Sequence, residues 1–431
     1  MGGTKTAARQ IFPAAARDQI LLFAVMLSTA IGTTGMQSVV PAIGRSLKLP
    51  DPLIALAFSL SALAYALAAP VWARRLGRSG AKRMVLIGVS GFVVSMIVCG
   101  IALTVGLLGL VPAAIAFAGF MVGRAVYGLF GAASPPAAQA MLVATTPRAD
   151  RTKALSLLAS AFGLGTIVGP ALAPFFVLPF IGLAGPAYVF ALMGIAMAMV
   201  VMVRLSDVPL DPHAQAVPAA EPTIGAEPSD AAAIAATAPE GDAQVRFTDP
   251  RIWPWMAFGL ISGHAQAIAG QTLAFLLIDR LAEPLAIAQP LIGMVLMAGA
   301  LAALLAQWGV IPRLDLQPRE MVLWGSGLAA AGCVSVALAH DLHSITVAFA
   351  VASLGFGFLR PGFTAGASLA VGEGEQGVVA GRVTSVNGYT FVLGPTMGIV
   401  MYDQWHALPY LVSALAMVAM IPYGLIRLRG S

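Results

Sequence analysis

Three side chains that can carry a positive charge lie deep within long apolar segments of this 431-residue sequence: Arg124, His264 and Arg360. Ionisable side chains are rare inside membrane-spanning segments, where they face a cavity or a partner and mark candidate functional sites. The sequence has no Asp or Glu at comparable depth. A cavity lined by these residues would repel cations and would favour an anionic, zwitterionic or neutral polar ligand.

Each of the three has more than one role open to it. Imidazole titrates near neutral pH, so His264 is a candidate for proton transfer or substrate contact, or a structural residue. Arg124 keeps its proton at such pH and would contact substrate, act on a proton through bound water, or serve as a hydrogen-bonded structural residue. Arg360 precedes Pro361 and could instead lie near a segment end, where its side chain would reach water.

Uncharged polar side chains in the same segments extend the set of substrate or proton candidates. They are Thr33, Thr34, Gln37, Tyr127, Gln139, Gln266, Gln271, Asn387 and Tyr389. The sequence offers no Ser/His/Asp set with suitable placement, no cluster of metal ligands and no phosphate-binding Gly-x-x-x-x-Gly-Lys-Ser/Thr loop. We therefore expect a protein without catalytic residues, metal or cofactor.

The elements that carry these residues are predicted from composition. Hydrophobic residues form 59% of the chain and charged residues 10%, whereas soluble domains are about a quarter charged. Apolar runs that could cross a hydrocarbon core of about 30 Å recur along the sequence, and they lack the alternation of barrel strands. We predict twelve membrane-spanning helices, at residues 20–43, 53–73, 84–105, 112–143, 155–178, 184–204, 253–278, 288–311, 321–339, 345–371, 378–401 and 408–427.

Basic residues between the spans predict the orientation. They concentrate in the loops after spans two, four and eight and at the C-terminus, whereas the alternate loops hold only Arg45, Lys48 and Arg280. Since cytoplasmic loops carry the excess of Lys and Arg, both termini are predicted to be cytoplasmic. The net charge of +5 is spread between spans and does not indicate nucleic-acid binding.

Residues 206–250 form the one long polar segment. They contain eight acidic residues and a single basic one, Arg246, among mostly Ala and Pro. Such a segment cannot bury enough apolar surface to fold alone, so we predict a flexible cytoplasmic linker. It would divide an N-terminal six-helix bundle, residues 1–205, from a C-terminal six-helix bundle, residues 251–431.

The two halves also repeat each other. Residues 163–170 read Gly-Leu-Gly-Thr-Ile-Val-Gly-Pro and residues 388–395 read Gly-Tyr-Thr-Phe-Val-Leu-Gly-Pro. This places Gly169-Pro170 and Gly394-Pro395 at equivalent points of spans five and eleven. Paired halves of this kind are typical of transporters that rock around a central site. We predict an all-α membrane protein made of two pseudo-symmetric six-helix bundles.

Several of these stretches resemble the major facilitator superfamily, and within it the twelve-span drug/proton antiporter group, over nearly the whole chain except the linker. Residues 74–83 resemble the family's Gly-x-x-x-Asp-Arg-x-Gly-Arg-Arg loop through Arg78, Gly80 and Lys82, with Gly77 in place of the Asp. Residues 124–133 resemble a family motif whose Arg is tied to proton transfer. Residues 40–43, Val-Pro-Ala-Ile at the end of span one, resemble the family's Pro-x-Leu-Pro-x-Ile motif. Residues 165–174 resemble the antiporter signature through Gly165, Gly169 and Pro170.

The resemblance implies a gate and a hinge. Arg78, Gly80 and Lys82 would belong to a cytoplasmic gate, although Gly77 leaves open whether this loop gates or only sets topology. Gly165, Gly169 and Pro170, with Gly394 and Pro395 in the other half, would form contacts that break and re-form as the halves rock.

The leading functional hypothesis is a secondary active transporter of small organic molecules, acting by proton-coupled efflux of the multidrug type. One alternative is an organic-anion or zwitterion carrier or importer, because the interior is basic. Another is a non-transporting sensor with a transporter fold, because of Gly77. The expected partners are a small-molecule substrate, protons as coupling ion and membrane lipid, without nucleic acid. We expect a monomeric, multi-pass protein of a bacterial inner membrane.

Overall fold

The computed structural model describes residues 3–147, 150–177, 181–210, 245–372 and 375–428, and the regular structure in these ranges is helical. Twelve helical segments follow one another along the chain. They are α1 (Gly3–Ser46), α2 (Asp51–Ser79), α3 (Ala81–Leu107), α4 (Ala113–Thr145), α5 (Arg151–Leu172), α6 (Gly185–Arg204), α7 (Trp253–Leu281), α8 (Leu285–Leu304), α9 (Pro318–Leu338), α10 (Leu342–Leu369), α11 (Gln376–Gln404) and α12 (Leu408–Arg427).

Three helices have local irregularities. α4 consists of Ala113–Gly131 and Ser134–Thr145, and its break lies beside Pro135 and Pro136, which lack the amide hydrogen that a continuous helix needs. α5 ends in a 3₁₀ turn, Ala173–Phe176, and α8 continues through a π-helical turn, Leu305–Val310, into Ile311–Leu314.

Within the described residues, ten helices are long and apolar enough to cross a membrane. The two that do not meet this measure are α5, represented by the shorter apolar stretch Ser160–Phe176, and α11, which carries Asn387 and Thr390 along its length. Both lie between the two halves, where a helix faces protein as well as lipid. The predicted spans are therefore confirmed for ten helices, and the expected α5 and α11 are present as helices.

The packing order repeats from one half to the other. In the first half α1 packs against α5 and α6, α2 against α4, and α3 against α4 and α6. In the second half α7 packs against α11 and α12, α8 against α10, and α9 against α10 and α12. Each of these pairs in one half has its counterpart six helices later, so the two halves are pseudo-symmetric bundles, as predicted.

Single residues obey the same symmetry. In the first half a Cβ added at Gly169 would lie 2.5 Å from the Ile31 carbonyl oxygen of α1. In the second half a Cβ at Gly394 would lie 2.6 Å from the Ala267 Cβ of α7. The glycines of the repeated Gly-Pro pairs thus allow α5 to approach α1 as closely as α11 approaches α7. This confirms that α5 and α11 are symmetry mates.

The halves meet mainly through two helix pairs, α2 with α11 and α5 with α8, and α1 also contacts α7 and α8. We call the bundle end near Arg17, Ser79 and Arg251 the inner end, and the end near Ser46 and Asp51 the outer end. The predicted orientation makes the inner end cytoplasmic.

The joining contacts lie toward the outer end. Ser59 Oγ of α2 and Thr396 Oγ1 of α11 are hydrogen-bonded at 2.8 Å. A Cβ at Gly293 of α8 would lie 2.8 Å from the Pro170 carbonyl oxygen of α5. Ser59 and Gly293 each follow the start of their helix by eight residues, which is about 12 Å along the helix. The two halves are therefore in close contact on the outer side of the midplane.

Residues 74–83, which the sequence predicted as a loop between spans two and three, are mostly helical in the structure. α2 continues to Ser79 and includes Arg74, Arg75 and Arg78, whereas the sequence predicted a span ending at residue 73. Charged side chains permit this extension because they project from the helix into water beyond the apolar core. Gly80 alone separates α2 from α3, with φ of 77°, a conformation that suits glycine. Arg78 is exposed and Lys82 is half-buried.

Most of the predicted linker, residues 211–244, lies outside the described residues, so its flexibility stays a prediction. Its two flanks are held at the inner end. Arg17 Nη2 donates to Ser206 Oγ at 3.0 Å. After the linker, Arg251 donates to Asp249 and to both carboxylate oxygens of Glu375, at 2.8 and 2.9 Å for the latter. These bonds from Arg251 lower the pKa of Glu375 and that of Asp249.

Candidate functional site

The interior of the first half holds Arg124 among aromatic rings. Its side chain is fully buried, and its guanidinium carbon lies 5.5 Å from the Phe58 ring centre and 5.4 Å from that of Tyr127. Ser61 Oγ donates to the Arg124 carbonyl oxygen at 3.0 Å. Cation–π contacts of this kind stabilise a desolvated guanidinium. Two predicted residues, Arg124 and Tyr127, are thus brought together in a packed aromatic cluster.

The polar residues predicted on α1 are also buried. Thr33, Thr34 and Gln37 are each at most 2% exposed. Thr34 Oγ1 donates to the Gly165 carbonyl oxygen of α5 at 3.1 Å, and to Ala30 of its own helix at 2.8 Å. In this structure, Thr34 therefore helps to fasten α1 to α5.

The second half contains a small open cavity lined by polar and aromatic side chains, which we call the basic cavity. Three predicted residues from three helices meet there: Gln266 of α7, Arg360 of α10 and Asn387 of α11. The cavity encloses about 270 Å³ including its open mouth, and its lining also includes Ser262, Thr390, Phe356, Phe363 and Phe391. Arg360 is 9% exposed and supplies the cationic side chain of the lining.

A second space, which we call the apolar cleft, adjoins the first. It encloses about 500 Å³ including its opening, and its walls come from α5, α7, α8 and α10. The lining is Thr166, Gln266, Gly270, Leu296, Gly299, Ala300, Ala303, Phe349, Ser353 and Phe356. Thr166 belongs to the first half and the others to the second, so the cleft lies at the boundary between halves. Gln266 and Phe356 line both spaces.

Besides Arg124, Tyr127 and the three residues on α1, four more predicted residues lie outside these two linings. His264 is half-buried, and its Nδ1 lies 2.7 Å from the Leu260 carbonyl oxygen one turn earlier in α7. Gln271 is buried, and Gln139 is half-buried. Tyr389 is 62% exposed. The structure therefore joins Gln266, Arg360 and Asn387 in one cavity and keeps His264 apart from it.

The predicted hinge glycines contact their own half. Gly165 and Gly169 both face α1, and the carbonyl of Pro170 faces Gly293 of the other half. A Cβ at Gly163 or at its repeat mate Gly388 would meet no atom within 4 Å. Close approach across the halves is thus made at the Pro170 backbone, while Gly165 and Gly169 serve packing inside one bundle.

An ionic cluster at the outer end was not predicted. Arg45 at the end of α1 donates to Asp51 at the start of α2, with Nε–Oδ1 at 2.7 Å. The same guanidinium donates to Asp279 of α7, with distances of 2.8 and 3.1 Å. Tyr402 of α11 also donates to Asp279, at 2.7 Å. The sequence identified Arg45 as a loop charge only, because the spacing of 234 residues between Arg45 and Asp279 carries no pairing signal.

The Arg45–Asp279 bond joins the two halves, since Arg45 and Asp51 belong to the first and Asp279 to the second. His406 stacks on Tyr402 at 4.6 Å between ring centres, and its Nε2 lies 3.9 Å from Asp279. Together with the Ser59–Thr396 bond, this cluster holds the outer end closed. The arrangement places a polar cavity in the interior, below a closed outer end.

Comparison with known proteins agrees with this architecture. The family model of the Major Facilitator Superfamily matches residues 22–395. The crystal structure of the human organic anion transporter MFSD10 (TETRAN) is similar with a TM-score of 0.63 and 14% identity, over 95% of this chain and 99% of that one. A bacterial homologue of the human lysosomal transporter Spinster, in an inward-facing and unoccupied conformation, is similar with a TM-score of 0.68 and 13% identity, over 96% of this chain and 95% of that one.

At these identities the two likenesses show the fold alone. No curated protein sequence matches the chain. The family model nevertheless covers most of the chain, from α1 into α11. The chain therefore belongs to the Major Facilitator Superfamily.

Proposed function

We propose that this protein is a secondary active transporter that carries small organic anions by alternating access of an interior site to the two ends. Superfamily membership makes it a multi-pass membrane transporter. The sequence offers no ATP-binding loop, so a solute or ion gradient is the proposed source of energy.

Arg360 in the basic cavity is the observation that carries the choice of an anion. It is buried, it lines an open cavity beside Gln266 and Asn387, and the sequence has no Asp or Glu at that depth. A cation would be repelled from this cavity, whereas a carboxylate or phosphate would gain charge-assisted hydrogen bonds from the guanidinium. A transporter of similar fold is an organic anion transporter, which is consistent with this choice but does not decide it.

Alternating access is supported by the way in which the halves meet. The Arg45–Asp279 and Ser59–Thr396 bonds close the outer end, so we assign the structure to a state in which substrate enters and leaves at the inner end. Rocking of the halves would break these contacts and open the outer end. Efflux, proton coupling and a role for His264 stay hypotheses, and so does a cytoplasmic gate at Arg78, Gly80 and Lys82.

A reversible cross-link tests alternating access directly. Because Ser59 Oγ and Thr396 Oγ1 are 2.8 Å apart, cysteines at both positions should form a disulfide that joins α2 to α11. In proteoliposomes, counterflow of an organic anion should stop on oxidation and return on reduction, while either single-cysteine variant should keep its flux under oxidant. Cys99 and Cys333 are buried and should not interfere.

The cargo is tested with the same vesicles. Carboxylates, sulfonates and phosphate esters should exchange, whereas lipophilic cations should not. Saturable flux of cations alone would favour the multidrug hypothesis, and absence of flux for every solute would favour the non-transporting sensor. An imposed pH gradient, inside acidic or inside alkaline, then decides coupling and direction.

A further inference from the structure

The exposed face of α2 changes from apolar to basic along its length. Leu63, Leu67 and Pro70 are exposed, and so are Arg74 and Arg78 farther toward the inner end. Their spacings of four, three, four and four residues place all five on one side of the helix. These five residues, which we call the α2 stripe, therefore form one continuous surface with an apolar part and a basic part.

The change of character coincides with the edge of the hydrocarbon core. Measured from the outer start of α2, Leu67 lies about 24 Å along the helix, Arg74 about 34 Å and Arg78 about 40 Å. The hydrocarbon core of a bilayer is about 30 Å thick. Trp72, an indole of the kind that favours this boundary, donates from Nε1 to the Leu129 carbonyl oxygen of α4 at 2.7 Å. The apolar part of the stripe therefore lies at the depth of acyl chains, and the basic part lies at the depth of lipid headgroups.

No acidic residue of the neighbouring helices in sequence neutralises this charge. Residues 52–149 contain no Asp or Glu, although residues 74–83 alone contain five basic residues. Arg251, at the same end of the molecule, forms an ion pair with Glu375. Within the described part of the chain, neither arginine of the α2 stripe forms such a pair. The stripe therefore presents positive charge that an external anion can neutralise.

The second half shows that a spanning helix of this fold does not require these arginines. In α8, the counterpart of α2, Trp308 follows the helix start by 23 residues, the same distance as Arg74 in α2. Leu301 corresponds to Leu67 in the same way. Trp308 is exposed, and the next basic residue, Arg313, donates to a carbonyl oxygen one turn earlier at 2.9 Å. The exposed face of α8 is thus apolar where that of α2 is basic, so membrane insertion alone does not explain the arginines.

We propose that the α2 stripe binds an anionic phospholipid of the leaflet at the inner end, with its phosphate against Arg74 and Arg78 and an acyl chain along Leu63 and Leu67. A guanidinium forms paired, charge-assisted hydrogen bonds with phosphate oxygens. A soluble phosphate would use only the basic part of the stripe, and a zwitterionic lipid would bring its own ammonium group close to the arginines. An anionic lipid fits both parts. This inference goes beyond the proposed transport function and does not depend on it.

Two matched cysteine variants test the proposal, Leu67→Cys on α2 and Leu301→Cys on α8. Both side chains are exposed, at 67% and 54%, and both lie about 24 Å from the outer start of their helices. Cys99 and Cys333 are buried and should not be labelled. Each variant is labelled with a fluorophore and placed in nanodiscs of phosphatidylcholine, in which a minor fraction of the lipid carries a nitroxide on its acyl chain. The nitroxide lipid is either phosphatidylglycerol or phosphatidylcholine, and quenching measures the local excess of one over the other.

The anionic lipid should be enriched at α2 and not at α8. At Leu67→Cys, association of phosphatidylglycerol should exceed that of phosphatidylcholine about 5- to 30-fold, as expected for about 1 kcal/mol from each of one or two basic residues. At Leu301→Cys the two lipids should quench equally. Replacing both Arg74 and Arg78 by Gln should make quenching equal at Leu67→Cys as well, whereas replacing both by Lys should keep part of the excess. Unchanged quenching by phosphatidylcholine in these variants shows that the protein is folded.

Equal quenching by the two lipids at Leu67→Cys, or the same excess of phosphatidylglycerol at Leu301→Cys, would overturn the proposal. An excess that persists in the double Gln variant would also overturn it, because another surface would then hold the lipid. Inorganic phosphate separates the two sources of the anion. If phosphate abolishes the excess at an ionic strength at which chloride does not, the arginines bind free phosphate and the proposal is wrong, whereas equal effects of the two salts support binding of the lipid.

Discussion

Replacing Asp279 by Asn should open the outer end. In the structure Asp279 accepts two hydrogen bonds from Arg45 of the other half, at 2.8 and 3.1 Å, and one from Tyr402, at 2.7 Å. The amide keeps the shape of the carboxylate and loses its charge, so the bond within the second half can persist while the ionic bond between halves is lost. Arg45 keeps Asp51 as a partner and is not left unpaired.

The size of the effect follows from geometry and exposure. The side chains of Arg45 and Asp279 are 31% and 19% exposed, so the pair is intermediate between a surface ion pair and a buried one. A surface ion pair contributes about 0.2–1 kcal/mol, and a buried hydrogen bond to a charged group contributes about 1.5–3 kcal/mol. We expect a loss of about 1–2 kcal/mol from the closed state. This corresponds to an increase of about 5- to 30-fold in the ratio of open to closed molecules.

A cysteine at Ala62 reports this ratio. Ala62 of α2 is buried against Ala267 and Phe391 of the second half, about 17 Å from the outer end of its helix. Its alkylation by a membrane-impermeant maleimide, added outside intact cells, should be about 5- to 30-fold faster in the Asp279→Asn background. Asp51→Asn is the matched control, since it removes the other carboxylate on Arg45 without touching the contact between halves.

Equal labelling rates in Asp279→Asn and the parent would show that the ionic bond does not hold the halves together. The same increase in Asp51→Asn would show that the effect is loss of local charge. Arg45→Gln should reproduce the Asp279→Asn rate, and the double variant should add little to either single change.

Three further predictions concern packing, coupling and pH. Gly169→Ala should lower the unfolding temperature of the purified protein, because the new Cβ would lie 2.5 Å from the Ile31 carbonyl oxygen, about 0.9 Å closer than an ordinary contact. As a control, Gly163→Ala meets no atom within 4 Å and should leave the unfolding temperature unchanged or raise it. An equal change of unfolding temperature in both variants would contradict this packing. If His264 carries the coupling proton, His264→Gln should keep substrate binding and lose acceleration by a pH gradient, and an unchanged response would exclude it. Because Arg251 lowers the pKa of Glu375, this pair should stabilise the fold fully at neutral pH and less and less as the pH falls through that lowered pKa. In Glu375→Gln, the unfolding temperature should therefore fall less steeply with decreasing pH than in the wild type. The same dependence on pH in both proteins would refute the prediction.

Helix positions could be predicted from the sequence because hydropathy is a local property. The predicted spans 184–204 and 408–427 agree with α6 and α12 to within one residue. Errors occur where helices leave the apolar core, as at α2, whose last two turns carry Arg74, Arg75 and Arg78. The end of a helix in water depends on capping, here on Gly80, rather than on hydropathy.

The symmetry of the halves could also be predicted, because the Gly-Pro repeat marks positions where backbone atoms approach. The helix that packs against each Gly-Pro pair could not be predicted. The residues against Gly169 are on α1, some 135 positions earlier, and no pattern of spacing in either helix identifies them. The same limit explains why the ionic bond between Arg45 and Asp279 was missed: it depends on how two bundles dock, which is a tertiary property.

The charge of the interior was visible in the sequence, but the roles of its two arginines were not. Arg124 and Arg360 have similar settings in sequence, each within an apolar span of the same kind. The rotation of each helix decides the difference, since Arg124 faces the rings of Phe58 and Tyr127 and Arg360 faces a cavity. Helix rotation about its own axis depends on the neighbours that pack on every side.

This difference has a consequence for how a symmetric fold carries an asymmetric function. The repeated halves supply matching backbone contacts, α2 with α11 and α5 with α8, which is what rocking requires. The chemistry is divided between them: the first half buries its arginine in aromatic packing, and the second half presents its arginine to the interior. Because Thr166 of the first half completes the wall of the apolar cleft, movement of the halves would change the shape of that cleft. Gln266, Arg360 and Asn387 all belong to the second half, so the same movement would leave their mutual arrangement in place, and an anion bound to Arg360 would travel with the second half.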